Sequence, residues 1–264
     1  MRDDAIVCIV GNRIGPSCLE AVLAHGAAGQ IIVGATPRAD FEEVKEVVAA
    51  FETNAPVLPA GDVLEMIANG EIEPRWLLNL WGELIIPPET LARVGASLNV
   101  HPSLLPWARG SDPVVWTIVN QWPAGATLHV MTGEVDAGPI WAQREVQYSF
   151  PCRGGELYAR VVDACLDLFV ETWPSIMSGA VVPTDQGEAP APAARRRDLH
   201  EMRVIRVDDF TDVPAREVLA RLLAYDFGPD FSAQLQMGED RFHARLEVLP
   251  AAPPDEAPPV TTIP

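Results

Sequence analysis

At 264 residues and 48% hydrophobic content, the chain is long enough to bury a sizeable core and to carry a second small unit. A net charge of −18, with Lys45 the single lysine, argues against a nucleic-acid partner, which needs clustered cations to neutralise phosphates. No apolar run reaches membrane-span length, Met1 to Asp4 lacks the layout of a signal peptide, and the four cysteines (Cys8, Cys18, Cys152, Cys165) show no metal-ligand spacing. The expectation is a reduced, cytoplasmic protein with no metal and no membrane contact.

Strand and helix signals then alternate along the chain. The apolar run Ala5 to Val10 has the character of a strand buried on both faces, and Gln30 to Val33 is a second such run. Between them Ser17 to Ala24 fits a helix that ends near Gly26. Helical spacing follows over Phe41–Phe51 and Asp62–Ala68, then strands over Trp76–Leu80 and 97–100. Asp112–Gln121 reads as a helix with Pro113 in its first turn, where proline is tolerated. This alternation implies right-handed βαβ units and a mostly parallel, Rossmann-like α/β sheet. Residues 126–131 and 140–147 lie too close together for a helical crossover and are expected as mixed or antiparallel strands. The turn Gly11 to Gly15 lacks the spacing of a dinucleotide fingerprint, so NAD binding is not expected.

A long helix follows from Glu156 to about Gly179, with Leu157, Val161, Cys165, Leu168 and Thr172 on its core stripe. The domain plan is a catalytic domain over 1–182, a Pro/Ala linker over 183–197, a small α+β region over 198–249 and a disordered Pro-rich tail over 250–264. Within the linker, Arg195 to Arg197 is the one dense basic run and reads as a solvated tether. The small region should hold a helix over Pro214–Ala224 and a hairpin turning at Met237–Asp240. A hairpin with an open edge needs a partner surface.

The chemistry gathers between residues 97 and 140. Asn99 and His101 alternate with Val100, so they leave a strand end on the same face, and Pro102 and Pro106 force a loop there. In open α/β sheets, ligands bind beyond the carboxyl ends of the strands. Asp136 follows 35 residues after His101, in Glu134 to Ile140 (EVDAGPI). Together, an amide, an imidazole and a carboxylate suit acyl transfer to an amine. Asn99 and His101 can stabilise a tetrahedral oxyanion, and Asp136 can take the amine proton, directly or through water, or set the charge of His101. Taken singly, Asn99 also suits a loop cap, His101 a packing histidine and Asp136 a turn.

The ordered set from Ser97 to Pro106, Arg109-Gly110, Gly125 to Met131 (GATLHVM) and Glu134 to Ile140 resembles the N10-formyltetrahydrofolate-dependent formyltransferases, over roughly residues 4–180. The resemblance implies Asn99, His101 and Asp136 as the catalytic set and N10-formyltetrahydrofolate as co-substrate. It also implies folate contacts at Leu84, Ile85, Ile86, Ser103, Leu104, Leu105, Pro106 and Val135. On the acceptor side it points to Asn12, Arg13, Trp107, Arg109, Gly110 and Trp116. Trp107 stands where many relatives carry a cation, which weakens the expectation of diphosphate binding at that position. The implied acceptor is a small-molecule primary amine, with a nucleotide-linked 4-amino sugar ahead of an N-hydroxyornithine-type amine. Methionyl-tRNA is disfavoured by charge and by the short C-terminal part, and formyltetrahydrofolate hydrolysis is a further alternative. Relatives that dimerise through their C-terminal parts imply a homodimer.

Overall fold

The computed structural model of the protein describes residues 3–25, 29–208 and 213–249. Strands β1 (Asp3–Val10), β2 (Ile31–Ala35), β3 (Val57–Pro59), β4 (Pro74–Leu80) and β5 (Ala96–His101) pair in parallel, and β6 (Ala124–His129) and β7 (Ile140–Val146) join antiparallel. The spatial order is β3-β2-β1-β4-β5-β6-β7, a mostly parallel α/β sheet whose strand order reverses beside β1. Helices α1 (Gly15–Ala24), α2 (Phe41–Ala50), α3 (Ala60–Ala68), α4 (Pro88–Leu91), α5 (Pro113–Asn120) and α6 (Gly154–Met177) complete this part. The expected β6 and β7 end two residues and one residue earlier than their patterns suggested, and β3 and α4 had no distinct sequence signal.

Side-chain alternation divides the sheet between two cores. From β1, Ile6, Cys8 and Val10 enter the larger one, whereas Val7 and Ile9 enter the smaller. In β5 the larger core takes Leu98 and Val100, so Ser97, Asn99 and His101 face the other side. The long α6 seals the larger core with Leu157, Val161, Cys165, Leu168, Phe169 and Trp173, and Trp173 meets Trp76 edge-on with ring centroids 5.3 Å apart. Thr172, expected on that stripe, is only half-buried, and its hydroxyl donates back to Leu168 O. All four cysteines are free and buried, and no helix among the described residues is long and apolar enough to cross a membrane.

Gly11 is needed by geometry. Its N–H donates to Leu80 O at 2.9 Å, and a Cβ there would lie 1.8 Å from Trp81 O. That contact draws the β1–α1 loop against the end of β4, where the strand order reverses.

The C-terminal part differs from a bare helix and hairpin. It comprises α7 (Arg196–Arg203), β8 (Val204–Arg206), α8 (Ala215–Ala224), β9 (Ala233–Met237) and β10 (Asp240–Ala244), with β8 parallel to β9 and β9 antiparallel to β10. One hairpin edge is therefore paired within the chain. Arg196 and Arg197 belong to a helix, not to a tether, and Ala194 bridges to Gly110. The Tyr225 hydroxyl, buried under this unit, donates to Leu199 O at 2.6 Å. The expected end of the first helix at Gly26 and the expected disorder of 250–264 lie outside the described residues.

Candidate active site

Three strand ends and one connection meet in a cleft of about 680 Å³, within the range of small-molecule sites. β4 supplies Asn79, β5 supplies Asn99 and His101, β6 supplies His129, and the β6–β7 connection supplies Asp136. Strand register sets the neighbours: Asn79 pairs with Asn99, and Asn99 pairs with His129. Asp136 adopts a left-handed backbone conformation (φ 49°), an accessible state for aspartate.

These groups form a hydrogen-bonded line whose direction is fixed at both ends by backbone. Gly82 N–H donates to Asn79 Oδ1 at 3.1 Å, which leaves the Asn79 amide nitrogen to donate to Asn99 Oδ1 at 2.8 Å. The Asn99 Nδ2 group then donates to His129 Nε2 at 2.9 Å. At the far end His129 Nδ1 meets Val130 O at 2.8 Å, so that nitrogen carries the proton. Of the two hydrogens on Asn99 Nδ2, one is used by His129, and the other remains for a ligand in the cleft.

His101 and Asp136 complete the centre. His101 Nε2 faces Ala108 O at 3.3 Å and must donate to it, while Nδ1 lies 3.5 Å from Asp136 Oδ2. Burial holds the His101 pKa below its ordinary 6.5, partly countered by Asp136 and reinforced by His129. For Asp136, burial pushes the pKa up, but His101 and the Gly110 N–H carry it well below the usual carboxylate range. Gly110 N donates to Asp136 Oδ2 at 2.9 Å, and His129 Nε2 lies 3.4 Å from Oδ1. An ionised carboxylate therefore stands beside a buried imidazole whose Nδ1 can accept a proton. An imidazolium formed there would have an acceptor at each nitrogen.

The remaining expected residues divide clearly. Leu84, Ile85, Ile86 and Val135 line the cleft, as do Asn12 and Gly110. Ser103, Leu104, Leu105 and Pro106 lie behind it: the Ser103 hydroxyl donates to Trp107 O at 2.8 Å, and Leu105 N donates to Thr127 Oγ1 at 3.1 Å. Trp107 packs on Trp122 with centroids 5.8 Å apart, Arg13 lies 4.9 Å over the Tyr158 ring, and Trp116 Nε1 donates to Ser111 O. Arg109 donates to Gln186 Oε1 at 2.8 Å, and Gln186 in turn donates to Asp136 O. None of Arg13, Trp107, Arg109 and Trp116 is brought into the cleft wall.

Residues that sequence reasoning missed are Asn79, His129, Tyr158, Arg38, Arg195 and Arg196, all of which line the cleft. Asn79 carried a usable signal as a lone amide within the apolar run Trp76–Leu80. Among the described residues no group of acidic, histidine or cysteine side chains could hold a metal.

Residues 77–172 match the family described as formyl transferase. Among curated relatives, a methionyl-tRNA formyltransferase of Streptococcus agalactiae is 31% identical over 165 residues, covering 59% of this chain and 51% of the relative. The chain thus spans about half the length of that relative. A dTDP-4-amino-4,6-dideoxyglucose formyltransferase of Mycobacterium tuberculosis is 29% identical over 197 residues, covering 64% of this chain and 81% of the relative. Among solved structures, a sugar N-formyltransferase from Shewanella sp. FDAARGOS_354 shares the fold at TM-score 0.73 and 20% identity, covering 94% of this chain and 99% of that one. An N-formyltransferase from Helicobacter canadensis, solved with folinic acid and dTDP-3-aminofucose, aligns at TM-score 0.64 and 18% identity, over 85% of this chain and 80% of that one.

The fixed direction of the amide line has a spectroscopic consequence. In the neutral ring of His129 the proton should reside on Nδ1, and nitrogen-15 NMR should report Nε2 as the unprotonated, hydrogen-bonded nitrogen. Asn79→Leu, which removes the group orienting Asn99, should abolish that single-tautomer signature. A neutral His129 protonated on Nε2 in the unmodified protein would contradict that direction.

Proposed function

We propose that the protein is an N-formyltransferase that moves a formyl group from N10-formyltetrahydrofolate to the primary amine of a small molecule, a nucleotide-linked 4-amino-4-deoxy sugar. The observation that carries this reading is the convergence of one free Asn99 N–H, the His101 Nδ1 lone pair and the Asp136 carboxylate in one cleft. As the amine nitrogen attacks the formyl carbon, the carbonyl electron pair moves to oxygen, where Asn99 N–H donates to the developing charge. His101 Nδ1 takes the proton lost by the amine, and Asp136 stabilises the resulting imidazolium. Collapse returns the electron pair to the carbonyl and breaks the bond to N10, which leaves with the proton given up by the His101 imidazolium. No enzyme nucleophile is required.

The fit to the donor rests on the cleft's apolar arm. Leu84, Ile85, Ile86 and Val135 line it: Ile86 is anchored in the smaller core with Leu84 packed against that core, while Ile85 is 84% exposed and Val135 47% exposed. A flat heteroaromatic ring is the kind of ligand that such a wall covers. The Helicobacter canadensis relative binds folinic acid, and the mycobacterial relative is named for a dTDP-4-amino sugar; both support this assignment. Asn99, His101 and Asp136 are proposed as the reacting residues and the four apolar residues as folate contacts. Cytoplasmic location is proposed on the four free cysteines. The domain plan is proposed with its catalytic part ending near residue 182.

Asn99→Ala, His101→Asn and Asp136→Asn should each lower turnover by roughly a hundredfold, the scale of losing an oxyanion donor or a proton acceptor. Because burial lowers the His101 pKa, its basic form persists to lower pH, so the acid limb of turnover should fall through a value below 6.5. Near-normal turnover in His101→Asn would sink the assignment.

The acceptor is tested by incubating enzyme and formyl donor with amino-sugar nucleotides, N-hydroxy amines and methionyl-tRNA, reading formylation by mass. Formyl gain on a 4-amino sugar nucleotide is expected. Salt-sensitive binding and formylation of methionyl-tRNA, against a net charge of −18, would replace this reading with the translation-initiation one.

A homodimer through the C-terminal part is proposed on its exposed apolar residues, Met237, Phe242 and Leu249. Sedimentation velocity should give twice the chain mass, and Phe242→Asp should shift the protein to monomer. A monomer at tens of micromolar would refute it.

A further inference from the structure

We propose that Gln186 is a positioning residue for the reaction, which holds the main chain of Asp136 so that its carboxylate stays against His101. The proposal rests on the reading of His101 and Asp136 as the proton-handling pair of a formyl transfer. It gives residues 183–197, a stretch with the composition of a linker, a direct part in building the centre.

The β6–β7 connection that carries Asp136 contains no helix or strand of its own. It must be held from outside, because a reacting carboxylate has to keep its place to within about 0.5 Å. Asp136 sits at φ 49°, a backbone state that persists where the surroundings fix it. Its side chain is held from one direction by the Gly110 N–H. Its main chain is held from another. Gln186 Nε2 donates to Asp136 O at 2.9 Å and to Gly138 O at 2.6 Å. Among the described residues no backbone N–H donates to either carbonyl. Both amide hydrogens of Gln186 are thus committed, on either side of Ala137.

The direction of the Gln186 amide is itself fixed. Its Oε1 accepts from Arg109 Nε at 3.2 Å and from Arg109 Nη2 at 2.8 Å. A guanidinium has no acceptor, so the oxygen must face it and the nitrogen must face the two carbonyls. The remaining guanidinium nitrogen, Nη1, lies 3.6 Å from Glu134 Oε1 in the same connection. Just before Gln186 the backbone is anchored, since Thr184 and Ile140 exchange both of their hydrogen bonds, at 2.7 and 2.9 Å. Further on, Ala194 pairs with Arg109 and Ser111. The segment therefore grips both the connection that carries Asp136 and the loop that carries Gly110. Neither Gln186 nor Arg109 lines the cleft, so their action passes through Asp136 and not through a bound molecule.

The electrostatic consequence has a definite sign. Burial does most to lower the His101 pKa, and Asp136 raises it. The other groups that face His101 are His129 from β6, Ala108 O and, from α6, the Cys165 thiol, which burial keeps neutral and which donates to His101 O at 3.8 Å. A displaced Asp136 carboxylate lets the His101 pKa fall further. General loosening of the centre admits water and moves it up towards 6.5 instead.

The test compares the unmodified protein with Gln186→Met, Asp136→Asn and the double variant. Turnover is read with N10-formyltetrahydrofolate and a dTDP-linked 4-amino sugar, and the His101 titration by nitrogen-15 NMR. Gln186→Met should lower kcat by about ten- to a hundredfold, the scale of a misplaced reacting group, and leave KM for the formyl donor within about twofold. In the Asp136→Asn background the same change should have little further effect, because both act through one carboxylate. The His101 midpoint should move to lower pH in Gln186→Met, as it does in Asp136→Asn. Gln186→Glu keeps a partner for Arg109 but loses both donors, so it guards against misfolding and should also lower kcat by about tenfold or more. Unchanged kcat in both Gln186 variants, fully multiplicative losses in the double variant, or a His101 midpoint displaced towards 6.5 would each overturn the positioning role. Absence of formyl transfer by the unmodified protein, or full turnover in Asp136→Asn, would instead overturn the reading of the reaction. The His101 midpoint would then still decide whether Gln186 holds the carboxylate.

Discussion

The register between β5 and β6 is the constraint on which the site depends. Antiparallel pairing sets Asn99 opposite His129 and His101 opposite Thr127. Parallel pairing on the other side sets Asn79 opposite Asn99. A slip of one residue would turn Asn99 and His101 into the larger core and bring Leu98 and Val100 into the cleft. The apolar neighbours therefore select the register, because Leu98, Val100 and Leu128 are all buried. The polar line is a consequence of that hydrophobic choice.

Once placed, the polar residues are held by satisfaction of their hydrogen bonds. A buried amide without a partner costs about 1–3 kcal/mol, so each member of the line from Gly82 to Val130 constrains the next. Backbone groups at the two ends cannot rotate, which gives the side chains between them one consistent orientation. The Asn99 hydrogen facing the cleft is what remains after the others are used. The buried Trp173 Nε1 has no partner among the described residues, and it lies in the larger core away from this line.

Much of this was legible in the sequence, and the reason is local. Unbroken apolar runs such as Ala5–Val10 can bury both faces, and the alternation at Asn99 and His101 puts both on one face at a strand end. The residues that escaped notice depend on pairing between distant strands. His129 lies within a stretch whose importance was apparent, yet its partner is 30 positions away and fixed only by the β5–β6 register. Conversely, Ser103 to Pro106 carry a recognisable motif but sit behind the cleft, where Ser103 O and Leu105 N close on the Thr127 hydroxyl. A motif locates a loop; it does not tell which side of the loop a ligand meets.

Arg195 to Arg197 show the same limit from the side of composition. A Pro/Ala-rich approach followed by three arginines reads as a solvated tether, since nothing local gives it a surface to lie on. What places it is the backbone of Arg109 and Ser111, which pairs with Ala194, and the buried Tyr225 hydroxyl, which anchors α7 at Leu199. Gly110 makes the approach possible. It sits at φ +91°, and a Cβ there would come within 2.2 Å of Ala194 O. The same glycine gives its N–H to Asp136. One residue without a side chain therefore joins the carboxylate of the centre to the segment that leads into the C-terminal part. Any bulkier residue at position 110 would disturb both at once.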